Sequence, residues 1–173
     1  MQATTIAPEE ASGVNADSRA GKYLTFELGK EEFGIQVLKV REIMGVQDIT
    51  VVPQTPPFVR GVINLRGKVI PVVDLRLKFG LPEIDYTQRT CIIVVQVASA
   101  DTSMLMGIIV DGVSEVINLN TGDIENTPDF GRGVEVPYLL GMAKVKDKVK
   151  ILLNIDRVLG EVTAIDGIQQ LFE

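Results

Sequence analysis

The sequence predicts a mainly β chain built as two packed small barrels, and three observations predict it. First, the chain repeats itself. Gly34, Ile35, Val37, Val40, Glu42 and Ile43 recur at the same spacing as Gly107, Ile108, Val110, Val113, Glu115 and Val116, and Gly61 to Leu75 aligns without a gap on Gly141 to Ile155. Self-similarity of this kind marks a duplicated module. Second, apolar residues fall in short β-branched runs separated by glycine, proline or charged pairs, the pattern of many short strands. Third, little of the chain carries apolar residues at helical spacing.

Taken in order, residues 1–21 are rich in Ala, Ser, Thr, Glu and Asp without apolar periodicity and read as a disordered leader. Leu24, Phe26 and Leu28 alternate with Tyr23, Thr25 and Glu27 as a half-buried strand, Gly29 and Lys30 turn, and Glu32 to Val37 returns. Val46 to Val52 is a further β-branched run, stopped by Pro53, Pro56 and Pro57, which cannot donate to a ladder. Val62 to Leu65 and Lys68 to Val73 flank Arg66 and Gly67 as a tight hairpin, with Pro71 suggesting an edge or a bulge. Leu75 to Phe79 reads as one helical turn closed by Gly80. Cys91 to Val97 and Met104 to Val110 are nearly continuous apolar runs, expected as central strands and as the core of the second copy. Asn118 to Glu135 is a polar connection, and Leu139 to Val145 with Val149 to Leu153 forms the second hairpin around Lys146 and Asp147. Ile165, Ile168 and Phe172 keep helical spacing in the tail, weakened by Gly167.

Composition removes several function classes. A chain of 173 residues that is 46% hydrophobic can bury a substantial core, as one domain or two small ones. A formal net charge of -6 opposes a phosphate-tracking surface, and sparse aromatics oppose a small-barrel RNA binder. No run reaches the roughly 18 apolar residues of a membrane span, and the N-terminus lacks the basic-then-apolar order of a signal peptide, which reads as a cytosolic protein without membrane insertion. One cysteine makes no internal disulfide framework, and with no histidine it leaves no recognisable transition-metal cluster. Oxygen-ligated metals stay open.

Absence of histidine also removes the commonest general base and every Ser-His or Cys-His pairing. Catalysis would rest on carboxylates such as Asp74, Asp111, Asp156, Glu42 and Glu115, but each closes a strand or turn, where an acid commonly serves as a cap. Cys91 opens an apolar strand with no adjacent activator and reads as packing. Gly131, Arg132 and Gly133 follow no apolar strand and open no helix, so they make no phosphate cradle. Arg66, at a hairpin tip after Asn64 and beside Gly67, reads equally as a solvated turn residue or as a recognition residue.

The stretch Phe58 to Gly80, FVRGVINLRGKVIPVVDLRLKFG, resembles the signature of the CheW-like domain family of chemotaxis coupling proteins. The resemblance runs from about Lys22 to Leu159, through FGIQVLKVREI and MGIIVDGVSEV. It implies two SH3-like five-stranded β-barrel subdomains packed together, with short helices and a C-terminal helix. The expected organisation is a leader over 1–21, a CheW-like domain over 22–160, and a C-terminal helix or tail over 161–173. Within the domain a first subdomain spans about 34–90 plus a terminal element and a second about 91–155, with intertwined boundaries.

The resemblance further implies a non-catalytic cytoplasmic adaptor, without cofactor and monomeric when isolated, that tethers the histidine kinase CheA to the cytoplasmic tips of methyl-accepting receptors. Its receptor surface, in a groove between the barrels, maps onto Val40, Glu42, Gly61, Arg66, Cys91, Gly107 and Val113. There small and aliphatic positions would accept the apolar face of a helical hairpin and charges would fix its orientation. The kinase contact maps onto the edge formed by Met44, Gly45, Val46 and Ile49. A coupling protein of a parallel pathway for pilus-driven motility or development is an alternative, and a carboxylate-dependent enzyme a remote one. Two departures stand out: Cys91, where the family usually has an aliphatic residue, and a longer turn between Ala98 and Ser103.

Overall fold

The structure, a computed structural model, describes residues 18–98, 102–127 and 138–163. Most of the expected leader, the middle of the Ala98 to Ser103 turn, the Gly131 to Gly133 cluster, and Ile165, Ile168 and Phe172 lie outside the described residues.

Eleven strands form two sheets among the described residues: β1 (Gly21–Leu28), β2 (Glu31–Gln36), β3 (Val40–Gly45), β4 (Val59–Leu65), β5 (Lys68–Asp74), β6 (Cys91–Ala98), β7 (Ser103–Val110), β8 (Gly112–Leu119), β9 (Ile124–Glu125), β10 (Leu139–Val145) and β11 (Lys148–Leu153). Helix α1 (Leu75–Lys78) follows β5, and α2 (Ile155–Thr163) follows β11. One sheet has the order β3-β6-β7-β5-β4, the other β8-β1-β2-β11-β10-β9. The sequence repeat matches β2 with β7, β3 with β8, β4 with β10 and β5 with β11. Under that match the first order maps onto the first five strands of the second. The architecture is the expected mainly β one, two packed SH3-like subdomains with few short helices.

The register confirms the duplication in detail. Val72 of β5 pairs in parallel with Gly107 of β7, and Leu152 of β11 with Gly34 of β2, so equivalent residues meet equivalent partners. Bulges recur too, between Val59 and Gly61 in one hairpin and between Leu139 and Gly141 in the other. Both hairpin tips bend left-handed at non-glycine residues: Arg66 has φ 51° before Gly67 at 86°, and Lys146 and Asp147 have 53° and 68°. Two successive positive φ angles give the turn that matches strand twist.

One expectation fails. β6 and β7 do not centre the second copy; they pair with β3 and β5 of the first. The chain crosses between sheets twice, at the 3-10 turn Val37–Lys39 between β2 and β3 and at Asp111 between β7 and β8. Each barrel therefore takes strands from both copies, and the division near residue 90 does not separate them. Nor does Val46 to Val52 form a strand. Gln47 and Asp48 both face solvent, which breaks the period of two, and only Thr50 bridges, to Val62. Pro71 is not at an edge, since β5 lies between β4 and β7; it stands one residue before the pairing with β7 begins.

Three apolar clusters explain the sequence pattern. Ile63, Ile70, Val72, Ile92, Val94 and Ile109 fill the first barrel. Tyr23, Leu119, Ile124, Ala143 and Leu152 fill the second. A larger cluster between the barrels takes Phe26, Ile35, Val73, Ile93, Val95, Met106 and Ile108. Along β6, Ile92 and Val94 face the barrel interior and Ile93, Val95 and Val97 the shared core, which is why its sequence is apolar throughout. Full burial of such a side chain contributes about 1.5–3 kcal/mol. Helix α2 adds Ile155, Val158, Leu159 and Val162 to the shared core, an i, i+3, i+4, i+7 set that starts before the expected 161–173 segment.

Matched latches hold the barrels together. Arg76 of α1 donates to Asp111 at 2.7 Å, and the Gly29 amide donates to the same carboxylate at 2.7 Å. At the equivalent place Lys39 donates to Asp156 of α2 at 2.9 Å, and the Ala98 amide donates to Asp156 at 2.8 Å. Acid and base have exchanged sides between the copies. Ser18 to Gly21, inside the span read as leader, are held by the fold: Arg19 donates to the Leu140 carbonyl at 2.9 Å and the Tyr23 hydroxyl to the Arg19 carbonyl at 2.6 Å.

Candidate functional site

Of the receptor positions expected from the sequence, all but Val113 of β8 lie on the first barrel, and backbone pairing links several of them. Glu42 pairs with Val94, Val94 with Gly107, Gly107 with Val72, and Val72 with Gly61. Glu42, Gly107 and Gly61 thus stand on one row that crosses all five strands. Gly107 and Gly61 are buried and offer no surface to a partner. A Cβ on Gly107 would lie 2.9 Å from Ile92 Cγ2. On Gly61, with φ 140°, it would run into the Thr50 carbonyl, which accepts from Val62 N at 2.9 Å. The absence of a Cβ at both places lets β7 and β4 close up against Ile92 and Thr50.

Glu42 meets Arg66 at that end, with 2.8 Å between Arg66 Nη1 and the carboxylate. Asn64 shapes the turn by accepting from the Gly67 amide at 2.7 Å. The Arg66 side chain is 72% exposed and that of Glu42 29%, so the pair is a surface ion pair worth at most about 1 kcal/mol. A bulky residue in a left-handed turn, held by a contact of so little weight, gains nothing for stability. Its exposed guanidinium remains in reach of a partner.

Val40 opens β3 and Val113 lies near the start of β8; both are half-buried against the shared core. They occupy equivalent positions in the two copies and do not join the Glu42 row. Cys91 pairs with Gly45 across β3 and with Val110 across β7, and its thiol donates to the Arg89 carbonyl at 3.2 Å. Of the kinase-edge residues, Met44, Val46 and Ile49 turn into the first barrel's core and only Gly45 faces out. Ile43 and Val51 are the exposed apolar side chains there; alternation about Met44 could have revealed Ile43, but the break at Gln47 and Asp48 hides Val51. β3 is nonetheless an edge strand, paired only with β6.

The carboxylates read as caps have structural partners. Asp74 is buried, accepts from the Arg76 and Leu77 amides at the start of α1, and lies 3.6 Å from Arg60 Nε. Burial pushes its carboxyl above the usual range, opposed by those two amides and by the guanidinia of Arg60 and Arg76. Asp111 and Asp156 serve in the latches rather than as caps. Glu115 is exposed, and its backbone satisfies the buried Thr25 hydroxyl. Among the described residues no three His, Cys, Asp or Glu side chains are placed to hold a metal.

Sequence reading missed an apolar cleft of about 680 Å³ between the barrels, walled by Phe33, Phe79, Tyr138 and Ile151. Phe33 and Phe79 stack at 5.9 Å, and Phe79 meets Tyr138 at 6.3 Å. These aromatics come from three distant segments, so no local motif announces them.

Comparison with known proteins follows this geometry. The CheW-like domain profile matches residues 22–163. The chain is 37% identical over 149 residues to the chemotaxis protein CheW of Klebsiella aerogenes, covering 85% of this chain and 87% of that one. It is 35% identical over 143 residues to CheW of Bacillus subtilis, covering 82% and 87%. Protein FrzA of Myxococcus xanthus is 27% identical over 156 residues, covering 89% and 94%. The crystal structure of the scaffolding protein TtCheW from Thermoanaerobacter tengcongensis superposes with a TM-score of 0.71 at 34% identity, covering 81% of this chain and 88% of that one. With the duplicated barrels and these matches, the chain belongs to the CheW-like domain family.

Proposed function

We propose that this chain is a non-catalytic adaptor of chemotaxis signalling that holds the cytoplasmic tip of a methyl-accepting receptor on one surface and the regulatory domain of the histidine kinase CheA on another. It works in the cytoplasm and joins receptor arrays through these contacts. The observation that carries the reading is Arg66, an exposed guanidinium presented on a rigid left-handed turn and oriented by Glu42. Charge at such a position selects and orients a partner. Val40, Val113 and Cys91 supply the neighbouring aliphatic and thiol surface, while Gly61 and Gly107 act through the row that fixes Glu42. The β3 edge with Gly45, flanked by Met44, Val46 and Ile49, is the kinase contact. Absence of histidine and the structural employment of Asp74, Asp111 and Asp156 support a role without turnover.

The test is Arg66→Glu, titrated against a receptor cytoplasmic fragment and a CheA regulatory domain. Loss of the charge pair and introduction of repulsion are expected to weaken receptor binding by about tenfold or more, equivalent to at least about 1.4 kcal/mol. Kinase binding should change less than about twofold, a surface-substitution effect. Equal loss of both contacts, or none of either, would refute the assignment. The likeness to FrzA favours a second reading, a coupling protein of a parallel pathway for motility or development; receptor fragments from the two pathways would bind with reversed preference.

A further inference from the structure

The two copies start their helices in the same way and finish them differently. Asp74 N donates to the Phe58 carbonyl at 2.8 Å and Asn154 N to the Tyr138 carbonyl at 2.7 Å, the same bond in each copy. One residue on, each chain enters a helix. In the second copy α2 runs for nine residues, and Val158, Leu159 and Val162 are fully buried in the shared core. In the first copy α1 stops after four. Gly80 takes φ 81°, the Leu81 amide folds back to the Arg76 carbonyl at 2.7 Å, and Arg76 Nε holds the Pro82 carbonyl at 2.9 Å. The chain is turned out of the crevice that a longer helix would have filled.

The repeat shows what that crevice corresponds to. Phe33 is the counterpart of Met106, Phe79 of Leu159, Tyr138 of Phe58 and Leu153 of Val73, and all eight belong to the shared core or pack against it. On the α2 side Met106, Val73 and Phe58 share one core cluster with Val158, Leu159 and Val162. Around α1 the same positions line the open cleft of about 680 Å³, together with Leu81 and Ile151. One crevice of a matched pair is plugged by a helix, and the other has the same walls and no plug from α1.

We propose that this cleft is a docking site for one amphipathic α-helix of a partner protein, seated as α2 is seated in the matched crevice. Its apolar face presents aliphatic side chains at the i, i+3 and i, i+4 spacings that Val158, Leu159 and Val162 present in α2. Helix-in-groove recognition reads such anchors, and the cleft has the size of an ordinary ligand site. None of Val40, Glu42, Gly61, Arg66, Cys91, Gly107 or Val113 lines it, so it is a second surface, and its failure would leave the Arg66 site standing.

The experiment uses the full chain, methyl-labelled, titrated with a side-chain-stapled helical peptide of residues 154–163, the sequence that fills the matched crevice. Saturable shifts are expected at the Met142, Ile151 and Leu153 methyls with a Kd of about 10–500 µM. Leu81→Asp, shown folded by unchanged methyl signals in the first barrel, should weaken binding at least about tenfold. Arg66→Glu should leave it unchanged. Absence of saturable shifts up to about 2 mM, or indifference to Leu81→Asp in a folded variant, overturns the proposal. Two other results also overturn it by naming a different occupant. If deleting residues 164–173 moves the same methyls without peptide, the chain's own tail fills the cleft. If they move with protein concentration alone, a second copy does.

Discussion

Lys150→Ala is expected to destabilise the protein by about 3 kcal/mol, the low end for breaking a buried ion pair by removing one partner. Lys150 of β11 lies directly opposite Glu32 of β2, and the two side chains form an ion pair while 5% and 19% exposed. Truncation leaves a largely desolvated carboxylate beside an apolar core, and that penalty rather than the attraction of the pair sets the magnitude. The repeat supplies the control. Ile70 and Leu105 occupy the counterpart positions in the first barrel and pack within its core. The double substitution Lys150→Ile with Glu32→Leu therefore rebuilds a contact that the fold already uses, and it should recover most of the loss. Urea unfolding reads both variants, as a fall and recovery of the midpoint at constant m. A single-variant loss under about 1 kcal/mol would show that water reaches the pair and that it is a surface contact.

Gly61→Ala should cost more than about 3 kcal/mol and lower the melting temperature by about 8 °C or more. Two effects add: φ 140° is open almost only to glycine, and the new Cβ collides with the Thr50 carbonyl. Relief requires β4 to shift and the two 2.9 Å bonds between Thr50 and Val62 to lengthen. Gly141, with φ 155° and its Cβ position 2.6 Å from the Glu125 carbonyl, faces the same conflict in the second barrel, and Gly141→Ala should cost a similar amount. The two variants differ in their effect on binding. Gly61 shares a cross-strand row with Glu42, so Gly61→Ala should also weaken the receptor contact, whereas Gly141→Ala should spare it. Equal binding by both folded variants would detach Gly61 from the site.

How much of this could be read from the sequence depended on whether the cause was local. The hairpin at Arg66 and Gly67 was legible because turn chemistry and flanking alternation are neighbours in the chain. The duplication was legible because equivalent residues must meet equivalent partners, as Val72 with Gly107 and Leu152 with Gly34 do. Which strands share a barrel was not, because the crossings at Val37–Lys39 and Asp111 carry the chain from one sheet to the other without a change in composition. The resemblance maps a contact onto the edge at Met44, Gly45, Val46 and Ile49 without saying which side chains point outward, and Met44, Val46 and Ile49 pack inward. Why Gly61 and Gly107 are glycines was not legible, since the Thr50 carbonyl and the Ile92 side chain that leave no room for a Cβ come from other strands and loops. The aromatic cleft was invisible because Phe33, Phe79 and Tyr138 meet only after both sheets have formed.

An adaptor of the kind proposed holds two partners at once. The direct measurement is recruitment of a CheA regulatory domain to vesicles bearing a receptor cytoplasmic fragment, with and without this protein. The regulatory domain is expected to sediment with the vesicles only when this protein is added, and Arg66→Glu to abolish the recruitment while still binding the regulatory domain in solution. Recruitment that is absent with the wild-type protein, or that proceeds equally without it, would contradict the account.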